Sequence, residues 1–308
     1  MEEIGCIFCQ NHSDSIVIEE NGFKGRKCSS CGLIYISPRP TSSEILALYS
    51  DDQDRGYKYA NSHIGFENPE KFHAKHTLAI IKTFMKRGSI LELGAGAGYF
   101  LSEAKKQGFE VFAIEPNKIE SSFINNTLGI PCEMIPLNKN SFGGKKFNVI
   151  YHCNVLSHFH DPINQFIEIN DTLDSTGIMV FETGNLADVD EKYYKYYPSF
   201  DYPDHLFFFG ESTINRLLEC TGFELLRIYK HSIMLPMLIK KLLWNLRGSL
   251  REKTNLEMLC TNIEKFSFKR LLRNYYRWFR VLLVYKLGPL MPKKGRLQTV
   301  IVVARKKQ

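Results

Sequence analysis

The sequence predicts an α/β fold: a seven-stranded doubly wound sheet, preceded by a small cysteine-bearing module and interrupted by a helical insertion before its last strand. Three observations carry this. Between residues 89 and 231, short apolar runs alternate with amphipathic ones. A glycine-rich turn, Gly94-Ala95-Gly96-Ala97-Gly98, joins the first apolar run to a helical one. Two Cys-x2-Cys pairs lie within the first 31 residues.

The cysteine pairs come first in the chain. Cys6 and Cys9 are separated from Cys28 and Cys31 by eighteen residues, a spacing that suits a four-cysteine zinc ribbon over residues 1–40. Four thiolates leave no open position on a tetrahedral ion, so the expected role of Zn2+ is structural. Cys132, Cys153, Cys220 and Cys260 are scattered and read as small core residues. A proline-bearing linker, Ile36-Ser37-Pro38-Arg39-Pro40, leads into a helical linker or cap over 41–88. There Thr41 or Ser42 caps a short helix reaching Tyr49, residues 51–68 are polar, and a longer helix spans Pro69 to Lys86.

The core is expected at 89–231. Strands are predicted at 89–94, 109–115, about 131–135, 146–152, 176–183 and 223–230, and helices at 98–107, 117–128, 161–173 and 211–221. Residues 298–305 (QTVIVVAR) supply the last strand, within a final segment 297–308. The insertion at 232–296 stands apart in composition. It holds fifteen Lys and Arg against three Glu, a net of +12, whereas the whole chain is +7 and the remainder therefore −5. Basic residues recur at Lys269, Arg273, Arg277 and Arg280, with Leu272, Tyr275, Phe279 and Leu282 on another face, as in a basic amphipathic helix. Such a helix suits an anionic membrane face, a pyrophosphate-linked lipid or nucleic acid, or serves as a lid on the domain.

The glycine turn is the most informative stretch. Bare backbone there lets a ligand approach closely, and the following helix start offers unpaired N–H groups. A dinucleotide site needs G-x-G-x-x-G, but here the glycines fall at 94, 96 and 98, and Tyr99 occupies the position of the third. Glu92, just before the turn, would repel a pyrophosphate and welcome a cation. Glu115, at the tip of the next strand, is placed to accept hydrogen bonds from two ribose hydroxyls.

Glu92-Leu93-Gly94-x-Gly96-x-Gly98 resembles motif I of the Rossmann-like (class I) SAM-dependent methyltransferases. The resemblance implies that Glu92, Gly94, Gly96, Gly98 and Glu115, with Asn154 past the fourth strand, hold S-adenosyl-L-methionine. The run Val155-Leu156-Ser157-His158-Phe159-His160-Asp161-Pro162 is similar to a loop the family sets beside the methyl-transfer centre, with Ser157 in place of an acidic residue. Tyr202-Pro203-Asp204-His205-Leu206-Phe207-Phe208-Phe209-Gly210 resembles a segment of the zinc-containing sugar C-methyltransferases, with Asp204 for their Glu and Phe208 for their Tyr. The cysteine pairs and the Pro-Arg-Pro linker match that group too. The likeness covers roughly 1–230, and that group's large C-terminal domain has no counterpart here.

What the resemblance implies is methyl transfer to a sugar or glycan-biosynthesis intermediate, soluble or lipid-linked, with His205 as first choice of base and His158 as second. A structural role for His158 as a helix cap competes with the catalytic one. Two other readings compete with the whole: an RNA methyltransferase that grips nucleic acid through ribbon and basic helices, and a non-catalytic SAM-binding accessory subunit. Neither a leader segment nor a spanning helix is visible, so the chain is expected in the cytoplasm, or peripherally at the inner membrane face.

Overall fold

The computed structural model describes residues 1–45, 64, 67–197, 199–239 and 268–307. The predicted short helix at 41–49 is helical at 42–45, and the rest of it lies outside the described residues.

The N-terminal sheet has strands β1 (Ile16–Glu20), β2 (Phe23–Lys27) and β3 (Ile34–Ile36), all antiparallel. Its fourth strand, β9 (Phe207–Phe208), comes from far along the chain and pairs Ile34 with Phe208 and Tyr35 with Phe207. Helix α1 (Glu67–Phe84) then leads into the core.

The core elements follow in order: β4 (Ser89–Leu93), α2 (Tyr99–Lys106), β5 (Glu110–Ile114), α3 (Lys118–Asn126), β6 (Cys132–Glu133), β7 (Phe147–Cys153), α4 (Pro162–Thr172) and β8 (Leu173–Gly184). After β9 come α5 (Glu211–Cys220), β10 (Phe223–Ser232), α6 (Phe268–Leu282) and β11 (Gln298–Lys306). The large sheet has seven strands in the order β10-β11-β8-β7-β4-β5-β6. Strands β4 to β8 are parallel, while β11 runs antiparallel between β8 and β10. All seven strands agree with the sequence pattern within a few residues. The exception in length is β8, which starts at Leu173.

The central strands β4, β7, β8 and β11 are largely buried on both faces, so they read as apolar runs. On one face Ile178, Val180 and Ile301 pack with Leu78, Ile81 and Leu101. On the other, Met179, Phe181 and Val302 pack with Phe166, Leu217 and the ribbon's Ile34 and Tyr35.

On the face of the basic helix that carries its aromatic residues, Tyr275 and Phe279 are exposed. The inward contacts come instead from Trp278, whose ring meets Phe72 of α1 at 6.1 Å, and from buried Leu283, Val284 and Tyr285 just beyond the helix end. No helix among the described residues is long and apolar enough to cross a membrane.

The ribbon is locked to the core at Gly25. A methyl group there would overlap the hydroxyl of Tyr202, which is buried beneath β2. Gly25→Ala should therefore destabilise the fold by about 1–3 kcal/mol, read as a lower midpoint in urea. Adding Tyr202→Phe, which removes the overlapping oxygen, should restore part of the loss. Equal midpoints for the single variant and the parent would refute this packing.

Candidate functional site

Strand β4 is wholly buried, with β5 on one side and β7 on the other, so its C-terminal end opens at the centre of the sheet. There the strand order reverses, which is where open α/β sheets bind ligands. The chain leaves β4 through Gly94 (φ 66°), Gly96 (φ 53°) and Gly98 (φ 69°), all in the left-handed region. At Gly94 a Cβ would also lie 2.7 Å from Cγ2 of Val155, and at Gly98 one would lie 2.9 Å from Ile124 and Leu128. Glycine is thus required by conformation and by crowding together. The turn is pinned by the N–H groups of Gly94 and Ala95, which donate to the Ile114 carbonyl at 2.8 and 3.3 Å.

Two carboxylates flank this turn. Glu115 accepts from Gly96 N–H at 2.7 Å and from Asn117 N–H at 2.9 Å. Even so, burial, with the charge of Glu120 added, pushes its carboxyl up to about 8. Glu92 is only 5% exposed, and its Oε2 has no hydrogen-bond partner. Burial pushes this carboxyl well above the usual range, with Glu115 and Glu70 adding repulsion. An orphaned acid beside a second acid and a bare backbone turn fits a ligand that brings positive charge and hydroxyl donors. Asn154, just past β7, sits in the left-handed region (φ 56°) and donates its N–H to the Glu182 carbonyl at 2.8 Å.

The loop after β7 brings the two sequence-predicted histidines together. Leu206 N–H donates to the Ser157 carbonyl at 2.8 Å, and the rings of His158 and His205 stand 4.7 Å apart. Adjacent Asp204 serves His158 rather than His205, with Oδ1 3.3 Å from His158 Nδ1. His205 Nδ1 lies 2.9 Å from the Phe200 carbonyl, so Nδ1 carries the proton and Nε2 holds the lone pair. Burial, reinforced by the charge of His158, lowers the pKa of His205 and keeps it neutral. The capping role considered for His158 is not observed: Asp161 Oδ1 caps α4 by accepting from Asn164 N–H at 3.0 Å. His152 is a core residue stacked 5.0 Å from Phe181. His160 ties the loop to Glu2 at 3.1 Å.

A second polar group at the end of β8 was missed by the sequence reading. Glu182 pairs with His73 of α1 at 2.8 Å and accepts from Thr299 at 3.0 Å and from the Tyr285 hydroxyl. Burial lowers the pKa of His73 but the charge of Glu182 outweighs it, so the pKa is raised. Cys153, His73 and Glu182 bring donor atoms within 4.8 Å of one another, but the carboxylate is already filled by its three donors. The one sequence signal was an acid inside the apolar run Ile178-Met179-Val180-Phe181-Glu182. Its partners come from elements more than a hundred residues away in sequence.

In the ribbon, Cys6, Cys9, Cys28 and Cys31 converge with all four sulfurs within 4.8 Å of one another, and Cys6 and Cys31 are 3.5 Å apart. This exceeds any disulfide length and suits four thiolates around one tetrahedral ion. Arg216 of α5 donates to Cys9 Sγ at 3.3 Å and to the Phe8 carbonyl at 2.9 Å, placing a cation beside the thiols.

No curated protein matches the chain in sequence. Among solved structures, it is similar to a Burkholderia thailandensis 1,6-didemethyltoxoflavin-N1-methyltransferase bound to its didemethyltoxoflavin and S-adenosylhomocysteine (13% identity, TM-score 0.53, 96% of this chain and 100% of that one). It is also similar to the mycolic acid cyclopropane synthase CmaA1 complexed with S-adenosylhomocysteine (14% identity, TM-score 0.52, 87% and 99%). A third is coclaurine N-methyltransferase bound to N-methylheliamine and S-adenosylhomocysteine (15% identity, TM-score 0.51, 87% and 90%). At these identities the likeness is one of fold. Residues 66–228, more than half of the chain, match the family model described as a methyltransferase domain, and the chain belongs to that family.

Proposed function

We propose that this protein is an S-adenosylmethionine-dependent methyltransferase acting on a sugar or glycan-assembly intermediate, soluble or lipid-linked, and that its ribbon holds a structural Zn2+. The observation that carries the cofactor reading is the orphaned, buried Glu92 beside Glu115 at the glycine turn. S-adenosylmethionine brings an activated methyl on a sulfonium, together with an ammonium and a ribose diol. Glu92 would meet the positive charge, Glu115 the ribose hydroxyls, and Gly94 to Gly98 the backbone approach. The acceptor class rests on the resemblance of residues 202–210 and of the cysteine pairs to sugar C-methyltransferases.

His205 takes the role of proton acceptor. Its Nδ1 proton is committed to the Phe200 carbonyl, and burial keeps the ring neutral, so Nε2 is free to remove a proton from the attacking group. His158, held by Asp204, borders the same space. The remaining task is to hold the acceptor in line with the methyl and away from water.

Calorimetric titration with S-adenosylmethionine should show binding, with none for NAD. In the free protein burial raises both carboxyls, Glu115 up to about 8, and positive charge at Glu92 with hydroxyl donors at Glu115 favours their ionised forms. Binding should therefore release about one proton or more near pH 7 and tighten as pH rises from about 6 to 8. Buffers of different ionisation enthalpy measure the release. Proton uptake, or NAD binding in place of S-adenosylmethionine, would refute the cofactor reading.

Screening nucleotide-sugars and polyprenyl-linked glycans for a methyl mass gain should identify the acceptor. With it in hand, His205→Ala should slow turnover by about a hundredfold or more while leaving cofactor affinity near that of the parent. Unchanged turnover would remove His205 from the chemistry.

Elemental analysis should find about one zinc per chain. Stripping it with a chelator should lower the thermal midpoint, and Zn2+ should restore it. Metal-free protein of unchanged midpoint would rule out a structural ion.

A further inference from the structure

We propose that the outward face of α6 and of the turns after it is a docking surface for an anionic lipid membrane. Four of the ten exposed large apolar side chains among the described residues fall within sixteen positions: Tyr275 (67%), Phe279 (38%), Leu287 (42%) and Leu290 (82%). Tyr275 and Phe279 lie one helical turn apart. Leu287 and Leu290, exposed as well, end the π turn (Leu283–Leu287) and the 3-10 turn (Gly288–Leu290) that follow the helix. Exposed Arg280 and Lys286 lie along the same stretch.

The inward side of this stretch is already used. Trp278 packs on Phe72, and Tyr285 stacks on His73 at 4.9 Å and donates to Glu182. The outward apolar residues therefore do not build the core. Isolated exposed leucines are ordinary, but a cluster of this kind edged by cations marks a contact surface.

Charge selects the partner. Residues 268–296 contain nine Lys and Arg and no acidic residue, so this short segment outweighs the +7 of the whole chain and leaves the rest slightly negative. Attraction to a negatively charged surface would orient the molecule with this face toward it. Nucleic acid offers the same negative charge but nothing for Leu287 and Leu290 to enter. A lipid surface offers both a phosphate layer and an apolar layer beneath it. The helix has fifteen residues, several of them basic, so it would lie in the interface and not span the bilayer.

The test is co-sedimentation of the full chain with large unilamellar vesicles of phosphatidylcholine, alone or with about 30% phosphatidylglycerol. We expect the anionic vesicles to carry the protein down and the neutral ones to leave it in solution. Raising NaCl from about 0.1 to 0.5 M should weaken the partition several-fold. Leu287→Asp with Leu290→Asp should reduce it by about tenfold or more, while circular dichroism and S-adenosylmethionine affinity stay at the parent's values. Lys286→Glu should weaken it and steepen no other property. Absence of binding to the anionic vesicles would overturn the proposal, as would binding that the double aspartate variant retains in full. RNA capture that displaces vesicles and is indifferent to both leucines would overturn it too. None of these readouts depends on which acceptor is methylated, so failure here leaves the catalytic reading standing.

Discussion

The rest of the site depends on two carboxylates buried at neighbouring strand ends with only glycine backbone between them. Side chains this deep ordinarily find a cation or enough N–H donors. Glu115 has two backbone donors, whereas Glu92 keeps an orphaned oxygen. The local architecture serves this arrangement. Asn117 both donates to Glu115 and caps α3 by accepting from Ile119 and Glu120 N–H at 3.0 and 3.1 Å. The missing Cβ at Gly94 makes room for Val155, so the glycine turn and the loop after β7 are packed as one unit. A side chain at position 94 would push on the loop that carries His158, three residues further on.

The ribbon is part of the same unit. Glu20, in β1, accepts from the N–H groups of Phe200 and Tyr202 at 3.0 and 2.9 Å, and Asn21 donates to the Tyr202 carbonyl at 2.7 Å. Ile36 N–H donates to the Leu206 carbonyl at 3.0 Å, and Leu206 in turn donates to Ser157. His205 is thereby held between a cysteine-bearing sheet and the end of a core strand. The segment that supplies the candidate base is short and irregular, and it borrows rigidity from β3 through the two residues of β9. Four thiols that fix β1 to β3 would, through this pairing, fix the imidazole as well.

Much of this was legible in the sequence because it is local. Strand and helix periodicity reports burial on one face or two, and the elements from Ser89 to Ser232 follow it closely. The glycine spacing with Glu92 and Glu115, and the spacing of the four cysteines, encode contacts within one turn or one small module. What sequence periodicity could not show are contacts made across the fold. The pairing of β9 with β3 joins residues about 170 apart. The Glu182–His73 pair, with Tyr285 and Thr299, draws on four separate elements. The periodicity of α6 marks it as amphipathic but does not say which of its faces turns inward. Which face turns inward was decided by the fit of Trp278 against Phe72 and of Tyr285 against His73.

Comparison of Glu92 with Glu182 shows how the two ends of the site differ. Both acids are nearly inaccessible, at 5% and 2% exposure, and both suffer the same loss of water. Yet the pKa of Glu92 is raised and that of Glu182 lowered. Burial alone would raise both, and the difference lies in what surrounds them. Glu182 has the His73 ring and two hydroxyl donors, which outweigh its desolvation. Around Glu92 the strongest neighbours are other carboxylates. The β8 end is therefore complete as it stands, its charge balanced from within, and a cation arriving there would find no vacancy on the acid. The β4 end has no such internal cation, and burial favours the protonated, neutral form of Glu92. Burial identifies both acids as unusual, but the partners distinguish the one satisfied within the fold from the one that keeps an orphaned oxygen, the mark of a candidate site.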